Sequence, residues 1–449
     1  MLIIKANNPN LKSFIAIDKD CHFPIQNLPF GIFTKAGEDK TKKRIGVAIG
    51  QYILDVKAAF SEGLLHEFNV DLAQMNALND LFQHGREKVR ELRKIISDLL
   101  NSETATLRDN KSLKDKVLIK QSDCTVYLPI EVKGFTDFYS SREHAENVGK
   151  MFRDKDNPLL PNWLHLPVAY DGRAGSVVVS GTQIVRPNGQ IKPNPDEAPI
   201  FSPSKALDVE VEMGAIIGMP SQHGQPVTID QAPEHVIGMV LVNDWSARDI
   251  QKWEYQPLGP FLSKNFATSI SPWVVTLDAL EPFRVSSPKQ ETDVLNYLKR
   301  KEDWAVDVEL QLSIKPAKEL DYEVISTTNY KHMYWDMMQQ LAHHSVNGCP
   351  MMTGDILASG TISGKTKDSL GCFLEIAEGG KHPVVLKNGD KRVFLQDGDA
   401  ARIVGFCQGQ GYKVGFGELT GEIVPFSATL TNNNAQRENE HENKQQVCF

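Results

Sequence analysis

The sequence predicts a mainly β chain of the α+β class, a small N-terminal β-rich domain followed by a larger β-roll or sandwich. Short alternating apolar runs recur through the second part, separated by turns rich in Gly, Pro and Asn. Helical periodicity is sparse there, which disfavours alternating βαβ units. A length of 449 residues is long for one domain and ample for a sizeable core. The expected extents are 1–129 for the first domain, 130–427 for the second and 428–449 for a polar tail with hardly an apolar residue, expected to be disordered.

Composition narrows the partners. Hydrophobic residues at 41% and charged ones at 24% are ordinary globular values. A formal net charge of −8 and the lack of a long basic run argue against nucleic acid. The six cysteines form no Cys-x-x-Cys pair, which fits reduced thiols better than a zinc cluster or disulfide framework. The N-terminal apolar patch is too short for a signal peptide, and the longest apolar run, Val236–Val242, is too short to cross a bilayer. The expectation is a soluble, cytoplasmic protein without a membrane or nucleic-acid partner.

In chain order, the first clear signal is a pair of apolar runs across Gly50-Gln51, within Arg44–Val56, which reads as a β-hairpin. From Glu87 to Leu100, Val89, Leu92, Ile96 and Leu99 recur at helical spacing while charged residues fill the other face, the pattern of an amphipathic surface helix. A basic polar stretch, Arg108–Lys120, then leads to the boundary. Beyond it, strands are expected at Ser176–Ser180, Leu207–Met213, Val236–Val242, Asp307–Ile314, Asp355–Ser359, Cys372–Ile376 and Arg402–Phe406. The clearest helix is Tyr330–His344.

Leu207–Met213 organises the chemistry. Val209, Val211 and Met213 alternate with Asp208, Glu210 and Glu212, so a strand there would set Glu210 and Glu212 side by side on one face. Two such carboxylates repel unless a cation separates them, and Mg²⁺ or Ca²⁺ favours oxygen ligands of this kind. From these seven residues alone, a half-buried strand with a solvated acidic face is the favoured reading, and the neighbouring segments are what shift it.

Three further segments keep it company. In Phe135–His144, Ser140 and Glu143 have capping-box spacing, which starts a helix with His144 in its first turns. The positive helix end favours a neutral imidazole able to accept a proton, although a surface histidine fits the same spacing. In Val242–Tyr255 a strand ends at Asp244 and a helix follows, with Arg248, Gln251 and Tyr255 expected on one face with Asp244. Lys264, after a Gly-Pro turn, has Thr268 four residues on and apolar neighbours that could hold its ammonium. Ala358–Gly364 is a Gly/Ser/Thr loop leaving a strand, and Glu375 is expected on the next one. No P-loop, Gly-x-Ser-x-Gly or His-Glu-x-x-His motif occurs.

Together these segments closely resemble the fumarylacetoacetase family, β-diketone hydrolases that end tyrosine catabolism. The resemblance rests on Thr136–Arg142, Gly149–Lys155, Pro161–Pro167, Val177–Thr182, Asn243–Tyr255, His343–Cys349 and Leu357–Gly364, and spans about Phe23 to Phe426 in the family's order. It implies an SH3-like β-barrel for the N-terminal domain, a mixed β-sandwich roll of the fumarylacetoacetase type for the C-terminal one, and a homodimer. It also implies Mg²⁺ and/or Ca²⁺ held by Asp137, Glu210, Glu212 and Asp244, with Lys264 and Thr268 beside the metal. His144 would be the general base oriented by Glu375, and Arg248, Gln251 and Lys264 would stabilise developing negative charge. Substrate contacts would fall on Tyr139, Arg153, Tyr170, Gln251, Tyr255 and Thr361. The implied reaction is hydrolysis of 4-fumarylacetoacetate to fumarate and acetoacetate. The alternatives are a hydrolase or decarboxylase of a related acylpyruvate, or a catalytically silent metal-binding dimer. One departure is visible: the family commonly has histidine where this chain has Asp171, after Tyr170.

Overall fold

The computed structural model describes residues 4–426, so the expected tail at 428–449 lies outside the described residues. The N-terminal part forms a five-stranded antiparallel sheet in the order Leu118–Lys120, Tyr52–Asp55, Arg44–Ile49, Phe30–Lys35, Cys124–Tyr127. The hairpin falls where the apolar runs place it, with Ile49 opposite Tyr52. Gly50 takes φ +55°, the backbone region a two-residue hairpin turn requires. Within the basic stretch, Ala105–Arg108 and Lys111–Val117 are short helices.

The amphipathic helix runs Gly85–Leu100 and buries Val89, Leu92, Ile96 and Leu99. Its charged side is less solvated than its spacing suggests. Arg86 is buried against Asp278 at 2.5 Å and Glu281 at 2.7 Å, and Arg93 is buried with Nε donating to the Asn27 carbonyl at 2.9 Å. These arginines dock the helix onto other segments of the chain instead of facing water.

The second part is built on two sheets. An eight-stranded mixed sheet runs Ala169–Asp171, Phe135–Phe138, Ile356–Ala358, Val211–Ile217, Val236–Asp244, Thr268–Ile270, Val177–Val179, with Val275–Thr276 also paired to Val236–Asp244. A five-stranded sheet runs Glu323–Asn329, Glu309–Lys315, Ala400–Gln408, Lys413–Val424, Ile184–Val185. Met213, Ala215, Met239 and Leu241 on one face of the larger sheet pack with Leu310, Leu312, Ile403 and Phe416 of the smaller. The opposite face, carrying Ile216, Val240, Val242 and Ile356, packs with Phe30, Ile32, Val89 and Leu92 of the N-terminal part. The central strands are therefore buried on both sides, which period-two alternation converts into near-continuous apolar sequence.

Four sequence expectations change. Leu207–Met213 is not one strand: Leu207–Asp208 pairs with Ser246–Ala247, Glu210 bridges Cys372, and the long strand begins at Val211. Nor is its acidic face solvated, because Asp208, Glu210 and Glu212 are all buried. Phe373–Ile376 is a helical turn instead of a strand, since the Asp208 carboxylate accepts from the backbone N–H groups of Phe373 and Leu374 and so satisfies a helix start. The helix expected over Tyr330–His344 begins later, at Met337. Asp336 forms a capping box with Gln339, while Tyr330–His332 is a separate 3₁₀ turn. Among the described residues no helix is long and apolar enough to cross a membrane.

Candidate active site

The acidic cluster is assembled by strand register. Asp137 lies opposite Ala358 on one side and Tyr170 on the other, Ala358 opposes Gly214, and Asp244 opposes Thr268. Asn243 sits across from Val211, and its side-chain oxygen accepts from the Glu210 N–H at 3.1 Å, which fixes the backbone where the strand breaks. One carboxylate oxygen from each of Asp137, Glu210, Glu212 and Asp244 lies within 4.8 Å of all the others, and all four residues are buried.

Cations and hydroxyls already hold part of this charge. Lys264 Nζ stands 2.5 Å from Glu210 Oε2 and 2.8 Å from Asp244 Oδ2, Thr268 donates to Asp244 Oδ1 at 2.7 Å, and Tyr170 donates to Asp244 Oδ2 at 2.7 Å. Lys264 is 5% exposed, so it does not snorkel to solvent. Arg248 Nη2 lies 2.7 Å from Glu210 Oε1. Burial alone would raise Glu210, but Lys264 and Arg248 outweigh it and hold that carboxylate well below its ordinary range. Burial, reinforced by the neighbouring carboxylates, pushes Asp137 and Glu212 well above theirs.

That imbalance leaves carboxylate oxygens on which a cation could act. Among the described residues, both oxygens of Glu212 and Oδ1 of Asp137 are buried without a hydrogen-bond partner, an arrangement costly for carboxylates. Unpartnered, buried, all-oxygen ligands suit a hard divalent cation. The residues present therefore fit such an ion.

Beside the cluster, the helix Arg142–Phe152 starts one residue later than its capping-box spacing suggests. Ser141, not Ser140, is the N-cap, accepting from the His144 N–H at 3.4 Å, while Ser140 accepts from Gln340. His144 is 5% exposed, and its Nδ1 lies 2.7 Å from Glu375 Oε2. Burial opposes ionisation of Glu375, yet His144 and the donors around it lower its pKa. A carboxylate accepting from Nδ1–H leaves Nε2 as the lone-pair nitrogen. The ring of Tyr139 meets His144 edge-on with centroids 5.3 Å apart. Burial pushes the Tyr139 hydroxyl upward, and Arg153 opposes that shift.

The expected stripe after Asp244 holds only in part. Asp244 ends the strand, and the helix is Arg248–Glu254, so Asp244 is not on its face. Arg248 donates through Nε to Asp208 Oδ2 at 2.8 Å and through Nη1 to Gln251 Oε1 at 3.1 Å, so those two side chains do meet. Tyr255, at the end of the helix, is 42% exposed and its hydroxyl takes a hydrogen bond from Gln256. Arg153 is likewise exposed, at the C-terminal end of the His144 helix. Thr361 is buried with an unpartnered hydroxyl.

Residues beyond those expected complete the arrangement. Asp208 joins Arg248 to the helical turn that carries Glu375. Asn147, Ser363 and Cys372 all donate to the Glu375 carboxylate. The i,i+3 spacing of His144 and Asn147 could have flagged Asn147. Cys372 is the N-cap of the turn that carries Glu375 and stands at the same spacing, whereas nothing in local sequence marks Ser363.

Comparison with known proteins places this architecture. A family model described as fumarylacetoacetase N-terminal matches residues 26–129, and one described as fumarylacetoacetate (FAA) hydrolase C-terminal matches residues 133–424. The fumarylacetoacetase of Dictyostelium discoideum is 50% identical over 423 residues, covering 92% of this chain and 98% of the relative. That of Homo sapiens is 49% identical over 416 residues, covering 92% and 99%. That of Arabidopsis thaliana is 47% identical over 418 residues, again covering 92% and 99%. Among solved structures, a fumarylacetoacetate hydrolase from Exiguobacterium antarcticum aligns with a TM-score of 0.50 over 89% of this chain and all of that one. At 17% identity that is a likeness of fold. Matched from residue 26 to residue 424 by models of both parts, and nearly half identical to full-length relatives, the chain belongs to the fumarylacetoacetase family.

Proposed function

We propose that this chain is a fumarylacetoacetase. It hydrolyses the carbon–carbon bond of 4-fumarylacetoacetate to fumarate and acetoacetate, the closing step of tyrosine and phenylalanine degradation, with His144 as general base and Glu375 as its orienting partner. Full-length relatives of that name at close to 50% identity support the activity. One structural observation carries the division of labour. A buried His144–Glu375 hydrogen bond stands beside an acidic cluster with unpartnered oxygens.

The chemistry follows from those groups. Glu375 accepts from Nδ1–H and so presents Nε2 of His144 as the proton acceptor. Nε2 takes a proton from water, and the oxygen left behind forms a bond to one carbonyl carbon of the β-diketone. The resulting tetrahedral oxyanion collapses, the carbon–carbon bond breaks, and its electron pair leaves as an enolate that the proton then quenches. Arg248, Gln251 and Lys264 stabilise the negative charge as it develops. Asp137, Glu210, Glu212 and Asp244, with Lys264 and Thr268 beside them, would hold a divalent cation, Mg²⁺ or Ca²⁺. Such an ion supplies Lewis-acid polarisation of the diketone oxygens when bound. Tyr139, Arg153, Tyr170, Gln251, Tyr255 and Thr361 bind and position the substrate, Arg153 through a carboxylate.

The same reading divides the chain into a domain at 1–129, taken as an SH3-like barrel, and a catalytic roll at 130–427. The matches at residues 26–129 and 133–424 support that division. It assigns a homodimer, which would cover exposed apolar side chains such as Phe201, Leu258 and Phe261. It assigns the cytoplasm, which the free thiols of Cys21, Cys124, Cys349, Cys372 and Cys407 support.

The test is a substrate profile with product identification. Purified protein should consume fumarylacetoacetate faster than any other acylpyruvate and release fumarate and acetoacetate in equal amounts. Preference for another diketo acid, or a decarboxylated product, would refute the assignment.

A further inference from the structure

Glu375 is a buried carboxylate, and each of its side-chain hydrogen-bond partners among the described residues is a donor. Its Oε2 receives His144 Nδ1 at 2.7 Å, Ser363 Oγ at 2.7 Å and Cys372 Sγ at 3.2 Å, and its Oε1 receives Asn147 Nδ2 at 2.9 Å. The direction of these bonds is fixed by what lies behind them. Ser363 Oγ accepts from the Gly371 N–H at 3.0 Å, which leaves its own proton for Glu375. Asn147 can present only an amide N–H through Nδ2.

The donors are mechanically joined to the base as well. Asn147 is three residues after His144 on one helix, so both side chains reach Glu375 from the same face. Ser141, the N-cap of that helix, accepts from the Ser363 N–H at 3.3 Å and lies 3.3 Å from the Ser363 carbonyl as donor. The loop carrying Ser363 is thereby tied to the first turn carrying His144. Neither Asn147 nor Ser363 touches the acidic cluster in any of these bonds.

We infer that Asn147 and Ser363 are positioning residues for the hydrolysis. By saturating Glu375 with hydrogen-bond donors they keep it an acceptor-only carboxylate, which locks His144 in the Nδ1–H tautomer with Nε2 free to take the proton of water. The inference rests on the proposed role of His144 as base. Cys372 contributes less, because a thiol is a weak donor. Loss of a hydrogen bond to a charged group at Glu375 should cost roughly ten- to a hundredfold in kcat. KM should hardly move, since neither side chain is among the proposed substrate contacts.

The experiment compares Ser363→Ala, Asn147→Leu and the conservative Ser363→Thr with the unaltered protein, with His144→Ala as reference. The readouts are kcat, KM, thermal unfolding and the ¹⁵N shifts of the His144 imidazole in ¹⁵N-histidine-labelled protein. The expected result is a fall in kcat for Ser363→Ala and Asn147→Leu at nearly constant KM, with the His144 signals moving from a single Nδ1–H tautomer toward a mixture. Ser363→Thr, which keeps the hydroxyl, should restore both. Folded variants with unaltered kcat and tautomer, alongside an inactive His144→Ala, would overturn this inference and leave the base intact. So would a fall in kcat with no change of tautomer. Full turnover by His144→Ala would instead overturn the reading of the base itself.

Discussion

Lys264 Nζ lies between two buried carboxylates, 2.5 Å from Glu210 and 2.8 Å from Asp244, and is itself buried. Removing one partner of such a buried arrangement leaves uncompensated charge, a loss of about 3–5 kcal/mol. Lys264→Met should therefore lower the unfolding midpoint of metal-free protein sharply, and added divalent cation should recover part of the loss. An unchanged midpoint in urea would show that the ammonium does not balance these carboxylates.

Glu212→Gln should behave oppositely, because Glu212 lacks the ion pairs that Lys264 and Arg248 make with Glu210. Glu212 is pushed up by burial and by Asp137 and Glu210, so a neutral amide relieves repulsion that the metal-free fold otherwise carries. The variant should match or exceed the parent in metal-free thermal stability. It should also lose much of the stabilisation that Mg²⁺ or Ca²⁺ gives the parent, since an ion stabilises only the state that binds it. A fully retained metal-dependent rise in Tm would remove Glu212 from the ligand set.

Replacing Glu375 by Gln removes the carboxylate that faces His144 Nδ1 and presents an amide whose N–H can oppose the required tautomer. Turnover should fall by a factor on the order of 10²–10⁴, by analogy with amide-for-carboxylate replacement beside a catalytic histidine. Metal affinity should be unaltered. Equal kcat in the two proteins would contradict the orienting role.

Much of this arrangement was legible in the sequence, for a physical reason. Glu212 and the apolar run ending at Asp244 are strand patterns that the fold keeps, Glu210 stands at the break just before Val211, and strand register then carries Asp137, Asp244 and Thr268 together. What local pattern could not show was the effect of distant partners. Phe373–Ile376 is four residues long, too short for period two to be told from a helical turn, and Asp208, some 165 residues away, decides the matter. Arg86 and Arg93 look like a solvated helix face until Asp278, Glu281 and the Asn27 carbonyl are brought against them. The family resemblance implies roles that spacing alone leaves open, such as a base at His144, whereas the contacts of Asn147, Ser363 and Cys372 with Glu375 are visible only in the folded chain.

The helix start at Met337 has its own test. Asp336 accepts from the backbone of Met338 and Gln339, and loss of such a cap costs about 1 kcal/mol, with a range of roughly 0.5–2. Asp336→Ala should lower the urea midpoint by a corresponding amount without altering kcat, because the cap lies outside the proposed machinery. A variant as stable as the parent would place the helix start elsewhere.

His22 gives the fold a pH dependence. Burial, with Lys413 adding to it, lowers its pKa from 6.5 to about 4. Between those values the unfolded chain binds a proton that the folded one refuses, so the stability this group permits is complete above pH 6.5 and is lost as pH falls toward 4. At most about 3 kcal/mol is involved, because a tenfold difference in proton affinity between the two states corresponds to about 1.4 kcal/mol. His22→Gln should flatten the stability profile over that window. A profile of unaltered slope would mean that His22 titrates alike in both states.

The proposed activity is hydrolysis of fumarylacetoacetate at a site that requires a divalent cation. Loss of substrate absorbance, followed with protein as purified, after chelation, and after Mg²⁺ or Ca²⁺ is restored, tests it most directly. Turnover should vanish on chelation and return with one of the two ions, which would also identify the better ion. Full turnover in chelated, metal-free protein, or none under any condition from folded protein, would contradict it.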